Sequence, residues 1–275
     1  MKYVILNGKL IKKQDANISV FNKAMFFDFA VYDSVKIIKG KKFFPDFHVE
    51  RLLNSAKIIH LEHNFEKQDI MNWMDLLIEK NNLQDAMIRF LLLGAASPDE
   101  KPQLFMFPLG VTFYNEKYYK KGIKVITFKG ERVMPQSKSK DLFLNFIALR
   151  EASKQNARDA LLIDSEGYIR EGTRTNFFAV KHGKIYTAPL SDVVGGITRK
   201  IVIKIAKQNK IEVIERKIHN NELKDFDEFF ITSTSMNILP INQINDYILN
   251  KNANVLTKKI IKLFKDYYHQ EVFNE

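Results

Sequence analysis

The sequence predicts a mixed α/β (α+β) fold in two domains. Two observations predict it. Hairpin and strand signals alternate with amphipathic helical patterns along the whole chain, and a polar, basic stretch without apolar periodicity, residues 114–122, separates two such sets. At 275 residues the chain is long enough for two modest domains, so the expected division is 1–113, a linker over 114–122, and 123–275.

In the first part, Val4-Ile5-Leu6 and Lys9-Leu10-Ile11 flank Asn7-Gly8, a strong two-residue hairpin signal. Residues 31–38 and 42–44 flank Lys39-Gly40 in the same way. Pro45-Asp46 then opens a helix in which Val49, Leu52, Leu53, Ala56 and Ile59 recur at helical spacing. A second amphipathic helix is expected over about 66–80, followed by apolar strands at 87–93 and 104–112. In the second part, a strand at 123–128 precedes a helix over about 141–155. Short strands flank turns at Ser165-Glu166-Gly167 and His182-Gly183-Lys184. A helix starts near Gly196, strands lie near 211–215 and 228–232, and a C-terminal helix carries Val255, Ile260, Ile261 and Phe264.

Composition narrows the function. Hydrophobic content of 45% with 22 Phe and 10 Tyr builds a substantial core. No apolar run approaches the roughly 20 residues that span a bilayer, and Met1 to Gly8 lacks the apolar core of a secretory signal. Zero Cys excludes disulfides, thiolate metal sites and cysteine catalysis. A cytoplasmic protein is expected, with no metal and no membrane partner. The net charge of +11 comes mostly from scattered Lys pairs interleaved with acids. That pattern describes a solvated surface rather than a nucleic-acid site, and its field would help to collect anionic small molecules.

Several stretches carry chemistry. A lysine pair, Lys138 and Lys140, is followed some thirty residues on by Glu171-Gly172-Thr173-Arg174-Thr175-Asn176-Phe177-Phe178. Phe47-His48-Val49-Glu50-Arg51-Leu52-Leu53-Asn54-Ser55-Ala56 places Arg51 on a helix, where its forked donors suit a phosphate dianion. Gly195-Gly196-Ile197-Thr198-Arg199 opens another helix, whose free N–H groups and dipole suit an anion, with the Thr198 hydroxyl beside them. Thr232-Ser233-Thr234-Ser235-Met236 follows a strand and offers further hydroxyls. Taken singly, each has a plain structural explanation: a surface lysine, a turn glutamate, a solvent arginine, a polar turn.

In this order across about 200 residues, the set resembles the class IV aminotransferases, the fold-type IV pyridoxal-phosphate enzymes. The resemblance implies two α/β domains with pyridoxal 5′-phosphate in the cleft between them, a homodimer, and amino-acid and 2-oxo-acid substrates. Lys138 then carries the cofactor as a Schiff base, with Lys140 the second choice, and Glu171 pairs with the pyridine nitrogen. Arg51, Ile197, Thr198, Thr234 and Ser235 hold the phosphate. Where the family commonly reads Phe/Tyr-Gly-Asp-Gly-Val-Phe/Tyr-Glu, this chain has Phe27-Asp28-Phe29-Ala30-Val31-Tyr32-Asp33. Both glycines are lost, so a different path for that turn is expected, with Tyr32 and Asp33 on the substrate side. Arg174 replaces the small residue usual there and is the expected carboxylate clamp. Tyr32-Asp33, Lys36 and Arg174 favour D-amino acid substrates. Branched-chain L-amino acid transamination, aminodeoxychorismate lysis and non-catalytic cofactor binding follow in that order.

Overall fold

The structure is a computed structural model that describes residues 1–249 and 254–273. It resolves into two compact units, Met1–Thr112 with Ser137–Asp141, and Phe113–Gln136 with Leu142–Glu275. No described helix is long and apolar enough to cross a membrane.

The first unit is one antiparallel sheet covered by two helices. Strands β1 (Tyr3–Leu6) and β2 (Lys9–Lys12) turn through Asn7 and Gly8, at φ +49° and +81°. Strands β3 (Ala30–Ile38) and β4 (Lys41–Lys42) turn through Lys39 and Gly40, at +49° and +72°. Two successive left-handed residues match the twist of the flanking strands, which is why both turns hold two-residue loops. With β5 (Ala86–Leu93) and β6 (Gln103–Leu109), the sheet order is β2-β1-β6-β5-β3-β4. Helices α2 (Pro45–Ile58) and α3 (Lys67–Asn81) cover one face. Val31, Val35 and Ile37 pack there against Val49, Leu52, Ile70 and Met74. Because strand side chains alternate, Tyr32, Ser34 and Lys36 fall on the opposite face.

The turn before β3 keeps a left-handed residue despite the missing glycines. A short helix, α1 (Lys23–Phe26), is capped by Asn22, whose side-chain oxygen accepts the Met25 N–H at 2.7 Å. Asp28 follows at φ +53°, a conformation that aspartate tolerates better than most side chains.

Lys36 on the open face of β3 is nevertheless 6% exposed, with its ammonium 5.2 Å from the Phe43 ring centroid. Burial pushes its amine down to about 8 from an ordinary 10.5. The unfolded chain therefore holds this proton more tightly, so folding stability rises as pH climbs from 8 to 10.5. Lys36→Met is expected to stabilise the protein by about 1–3 kcal/mol at pH 7 and to lose that advantage above pH 10. Thermal unfolding across this pH range checks it.

The second unit opens with residues 114–122, read from sequence as a linker. They contain α4 (Glu116–Lys121), capped by Asn115, with Tyr114, Tyr118 and Tyr119 packed on the core and the Tyr119 hydroxyl donating to the Met236 carbonyl at 3.0 Å. The apolar signal there is carried by tyrosines, which polar neighbours mask. The strands are β7 (Ile123–Lys129), β8 (Asp159–Ile163), β9 (Tyr168–Gly172), β10 (Asn176–Lys181), β11 (Lys184–Thr187), β12 (Val213–Glu215), β13 (Ile218–His219), β14 (Glu228–Ser233), β15 (Asn237–Ile244) and β16 (Tyr247–Ile248). They form one mixed sheet in the order β12-β11-β10-β14-β15-β7-β8-β9-β13, with β16 on β15. One face packs the Phe177, Phe229, Leu161 and Leu239 cluster. Helices α5 (Phe143–Lys154), α6 (Ile197–Gln208) and α7 (Val255–Phe273) pack elsewhere on the sheet, α5 through Ala148 and Ala152 against Ala160 and Leu162.

Residues Ser137–Asp141 leave this unit and extend the sheet of the first. The Tyr32 N–H donates to the Lys138 carbonyl at 3.0 Å and the Lys140 N–H to the Ala30 carbonyl at 2.8 Å, with Val31 opposite Ser139. The start of β3 is open to them because β4 pairs only with Ile37 and Ile38.

Candidate active site

The first unit supplies a lysine over an aromatic ring. Lys138 lies opposite Tyr32 in the added pairing, and its Nζ stands 4.6 Å from the Tyr32 ring centroid. Lys140 pairs with the Asp28 carboxylate. Lys140 is thus engaged with Asp28, and Lys138 is the lysine beside Tyr32. Arg89, on β5, completes this face. Its Nε donates to the Ser34 hydroxyl at 3.3 Å, and its guanidinium sits 5.6 Å from the Tyr32 ring.

Asp33 is not on that face. Strand alternation turns it under α2, where it is 0% exposed. Its carboxylate accepts Nε and Nη2 of Arg51, both at 2.8 Å, and lies 2.8 Å from His48 Nδ1. Burial alone would push this carboxyl up; the charges of Arg51 and His48 and their hydrogen bonds outweigh it and hold it far below the ordinary carboxylate range. Burial likewise pushes the His48 imidazole down, against the pull of Asp33. The geometry thus gives Asp33 to Arg51 rather than to the substrate side.

The second unit supplies a carboxylate and a set of anion donors. Glu171, near the end of β9, is buried and accepts the Val194 N–H at 3.1 Å and Asn176 Nδ2 at 3.4 Å. Arg132 Nη1 lies 3.7 Å from its other oxygen. Asn176 also donates to the Val194 carbonyl at 2.8 Å, tying Glu171 to the loop that enters α6. That loop needs glycine: a Cβ on Gly196 would fall 2.0 Å from Asn176 Oδ1. A cavity of about 480 Å³ borders Glu171, lined also by Arg132, Arg170, Ser191 and Asp192.

Gly196 caps α6 without a side-chain hydrogen bond, so the backbone N–H groups of Ile197 and Thr198 open the helix as anion donors, with the Thr198 side chain buried beside them. Thr234 and Ser235 form the β14–β15 turn, where the Ser235 hydroxyl stands 3.3 Å from that of Ser233. The hydroxyl of neighbouring Thr232 is buried and, among the described residues, has no hydrogen-bond partner. A buried hydroxyl without a partner and an uncapped helix start are both groups that suit an anion.

Arg174 is exposed, at the tip of a turn that is itself pinned. Its neighbours Thr173 and Thr175 donate their hydroxyls to the buried Asp159 carboxylate at 2.6 and 2.7 Å, and the Thr173 and Ala160 N–H groups add two more bonds. Burial pushes Asp159 up in spite of these donors. Arg89, Asp159 and Asn176 were not among the residues expected at the site. The alternation of β5 could have pointed to Arg89, whereas nothing local marks Asp159. Among the described residues, no three His, Asp or Glu side chains are placed to hold a metal ion.

The model of the class IV amino-transferase family matches residues 30–244. The chain belongs to the class IV aminotransferases. An inferred branched-chain-amino-acid aminotransferase of Methanocaldococcus jannaschii is 31% identical over 277 residues, 96% of this chain and 95% of that one. A D-alanine aminotransferase of Staphylococcus epidermidis is 28% identical over 280 residues, 97% and 98% of the two chains. Among solved structures, a branched-chain aminotransferase of Thermoproteus uzoniensis crystallised with norvaline superposes with a TM-score of 0.88 at 26% identity, covering 98% of each chain. Family membership makes this chain a transaminase that works with pyridoxal 5′-phosphate. Within the first unit, the lysine over Tyr32 has the chemistry to meet an aldehyde; within the second, the buried Glu171 and the open start of α6 have the chemistry to meet a ring nitrogen and a phosphate.

Proposed function

We propose that this aminotransferase moves an amino group from a D-amino acid to a 2-oxo acid. The observation that carries the substrate class is Arg174, a guanidinium presented on a turn that Asp159 fixes, with no hydrogen bond or ion pair among the described residues. An exposed arginine on a pinned turn, three residues from Glu171, suits a bidentate grip on a carboxylate.

Bound pyridoxal phosphate supplies an aldehyde carbon and an electron-withdrawing ring. Lys138 would hold it covalently and, once displaced by the substrate amine, its own amine would carry the proton from substrate Cα to the cofactor's former aldehyde carbon as general base and acid. Glu171, kept in place by the Val194 N–H and Asn176, keeps the ring nitrogen protonated. Ile197 and Thr198 at the start of α6, with Thr234, Ser235 and Arg51, bind the phosphate. Asp33 acts through Arg51, whose guanidinium plane it fixes. A homodimer belongs to the same proposal, and a mass in solution of twice 32.1 kDa would match it.

Branched-chain L-amino acids are the second reading. Arg89 beside Tyr32 favours it as an alternative carboxylate binder, as does the name of the Methanocaldococcus jannaschii relative. Absorbance titration with D-alanine, D-glutamate and L-isoleucine in turn decides: the amino acid that converts the cofactor band to its amine form identifies the class. Arg174→Ala is expected to raise the KM for D-amino acids roughly 10- to 100-fold with cofactor affinity intact. If Arg89→Ala produces that loss and Arg174→Ala does not, the second reading stands.

A further inference from the structure

We propose that Ser55 is a positioning residue for Lys138, the hydroxyl that fixes where the lysine peptide begins. The proposal rests on Lys138 being the cofactor lysine, as assigned above. Ser55 lies in the last turn of α2 and is fully buried. Its Oγ accepts the Lys138 N–H at 3.0 Å, and its backbone carbonyl accepts the Ser137 hydroxyl at 3.2 Å. Ser137 is also fully buried, so its bond does not compete with water.

Position on the helix explains why Ser55 can do this. A carbonyl in a last helical turn lacks a full intrahelical bond, and the Ser55 carbonyl has only a long one, 3.4 Å, from the Ile59 N–H. It therefore has capacity for Ser137. The hydroxyl meets the lysine's own amide. The Lys138 carbonyl is already taken by the Tyr32 N–H at 3.0 Å. Both backbone polar groups of Lys138 are thus committed, one to α2 and one to β3. The Cα is fixed, and only the side-chain torsions over the Tyr32 ring remain free.

Arg51 precedes Ser55 by four residues and so lies on the same face of α2, one turn away. The phosphate arginine and the lysine peptide hang from adjacent turns of one helix. A lysine that must meet a single carbon, on a cofactor held by its phosphate, gains from such a fixed spacing, since a misplacement of about 1 Å can cost on the order of 100-fold in rate.

The test compares wild type and Ser55→Ala as holoenzymes, with three readouts: the pH midpoint of the visible cofactor band, the site of borohydride fixation by peptide mass spectrometry, and kcat against KM. Alanine fits the serine volume and favours helix, so the fold should survive, and circular dichroism checks it. We expect fixation at Lys138 in both proteins, a midpoint moved by about half a pH unit or more, and kcat lowered about 10- to 100-fold with KM within about threefold. Ser55→Thr, which keeps the hydroxyl, should restore most of kcat. An unchanged midpoint and kcat in a folded Ser55→Ala would overturn the proposal. Wild-type fixation at a residue other than Lys138 would instead remove the lysine assignment beneath it. Should Ser55→Ala fail to fold, Ser137→Ala breaks the other bond without touching α2; the same shift in smaller measure supports the clamp, and wild-type values refute it.

Discussion

Lys138→Ala is expected to abolish covalent cofactor attachment and to lower transamination at least about 1,000-fold, while the fold persists. The magnitude follows from losing both the covalent anchor and the proton carrier, since general acid–base catalysis alone contributes about 100- to 10,000-fold. Persistence of the fold follows from where the side chain lies. Lys138 is half-buried, its amine meets the Tyr32 ring, and the bonds that organise residues 137–141 are made by its backbone, which alanine retains. The cofactor should still bind, because Glu171, Thr198 and Arg51 are untouched, but borohydride should no longer fix it to the protein. Lys140→Ala serves as the control. It should cost the Asp28 ion pair, a half-exposed contact worth little, and leave attachment intact. A normally attached cofactor in Lys138→Ala, lost in Lys140→Ala, would transfer the role to Lys140.

Much of this architecture is local enough to read from sequence. Asn7-Gly8 fixed a hairpin because two left-handed residues in succession leave the backbone few other routes, and the turn at Ser165-Glu166-Gly167 announced the short strands β8 and β9 on either side of it. Strand β15 stayed hidden because Pro240 sits in its middle, and proline is usually a strand breaker. It is nonetheless a paired strand, antiparallel to β14 and parallel to β7. The site shows the same division. Lysine, glutamate, arginine and helix start are contiguous motifs and were legible. What could not be read is which way each side chain turns. Asp33 and Tyr32 are neighbours in sequence on opposite faces of β3, and only the placement of α2 decides which is buried. The choice between Lys138 and Lys140 likewise rests on Asp28, over a hundred residues away. Asp159 supports a turn that begins 14 residues later, a link that neither spacing nor composition records.

Asp33→Ala is expected to be the most destabilising single change near the site, by about 3–5 kcal/mol. The carboxylate has no exposure and satisfies the fully buried His48 together with the largely buried Arg51. Without it, the guanidinium loses the carboxylate that holds it by two bonds in a low-dielectric pocket, and desolvation of that charge is less fully offset. The pH dependence has a definite sign. Asp33 has an ordinary value of 3.8 in the unfolded chain and lies far below it when folded. Its contribution is therefore fully present above about pH 4 and is lost progressively as pH falls through the acid range toward the folded value. Wild type should lose stability steeply on acidification, whereas the variant, already lacking this contribution, should show a shallower slope there. His48 adds a smaller dependence of its own. Burial lowers its pKa below 6.5, so the unfolded chain takes up a proton first and stability falls as pH drops below that value. Urea denaturation at pH 7 and at pH 4 measures the His48 effect, and a further series from pH 4 down to about pH 2.5 measures that of Asp33. The loss should also reach the cofactor, because Arg51 would no longer be held in a fixed plane by two 2.8 Å bonds, so phosphate affinity should fall roughly 10-fold or more. A variant that unfolds at the wild-type urea midpoint would show that Arg51 and His48 find other partners, and the device assigned to Asp33 would be wrong.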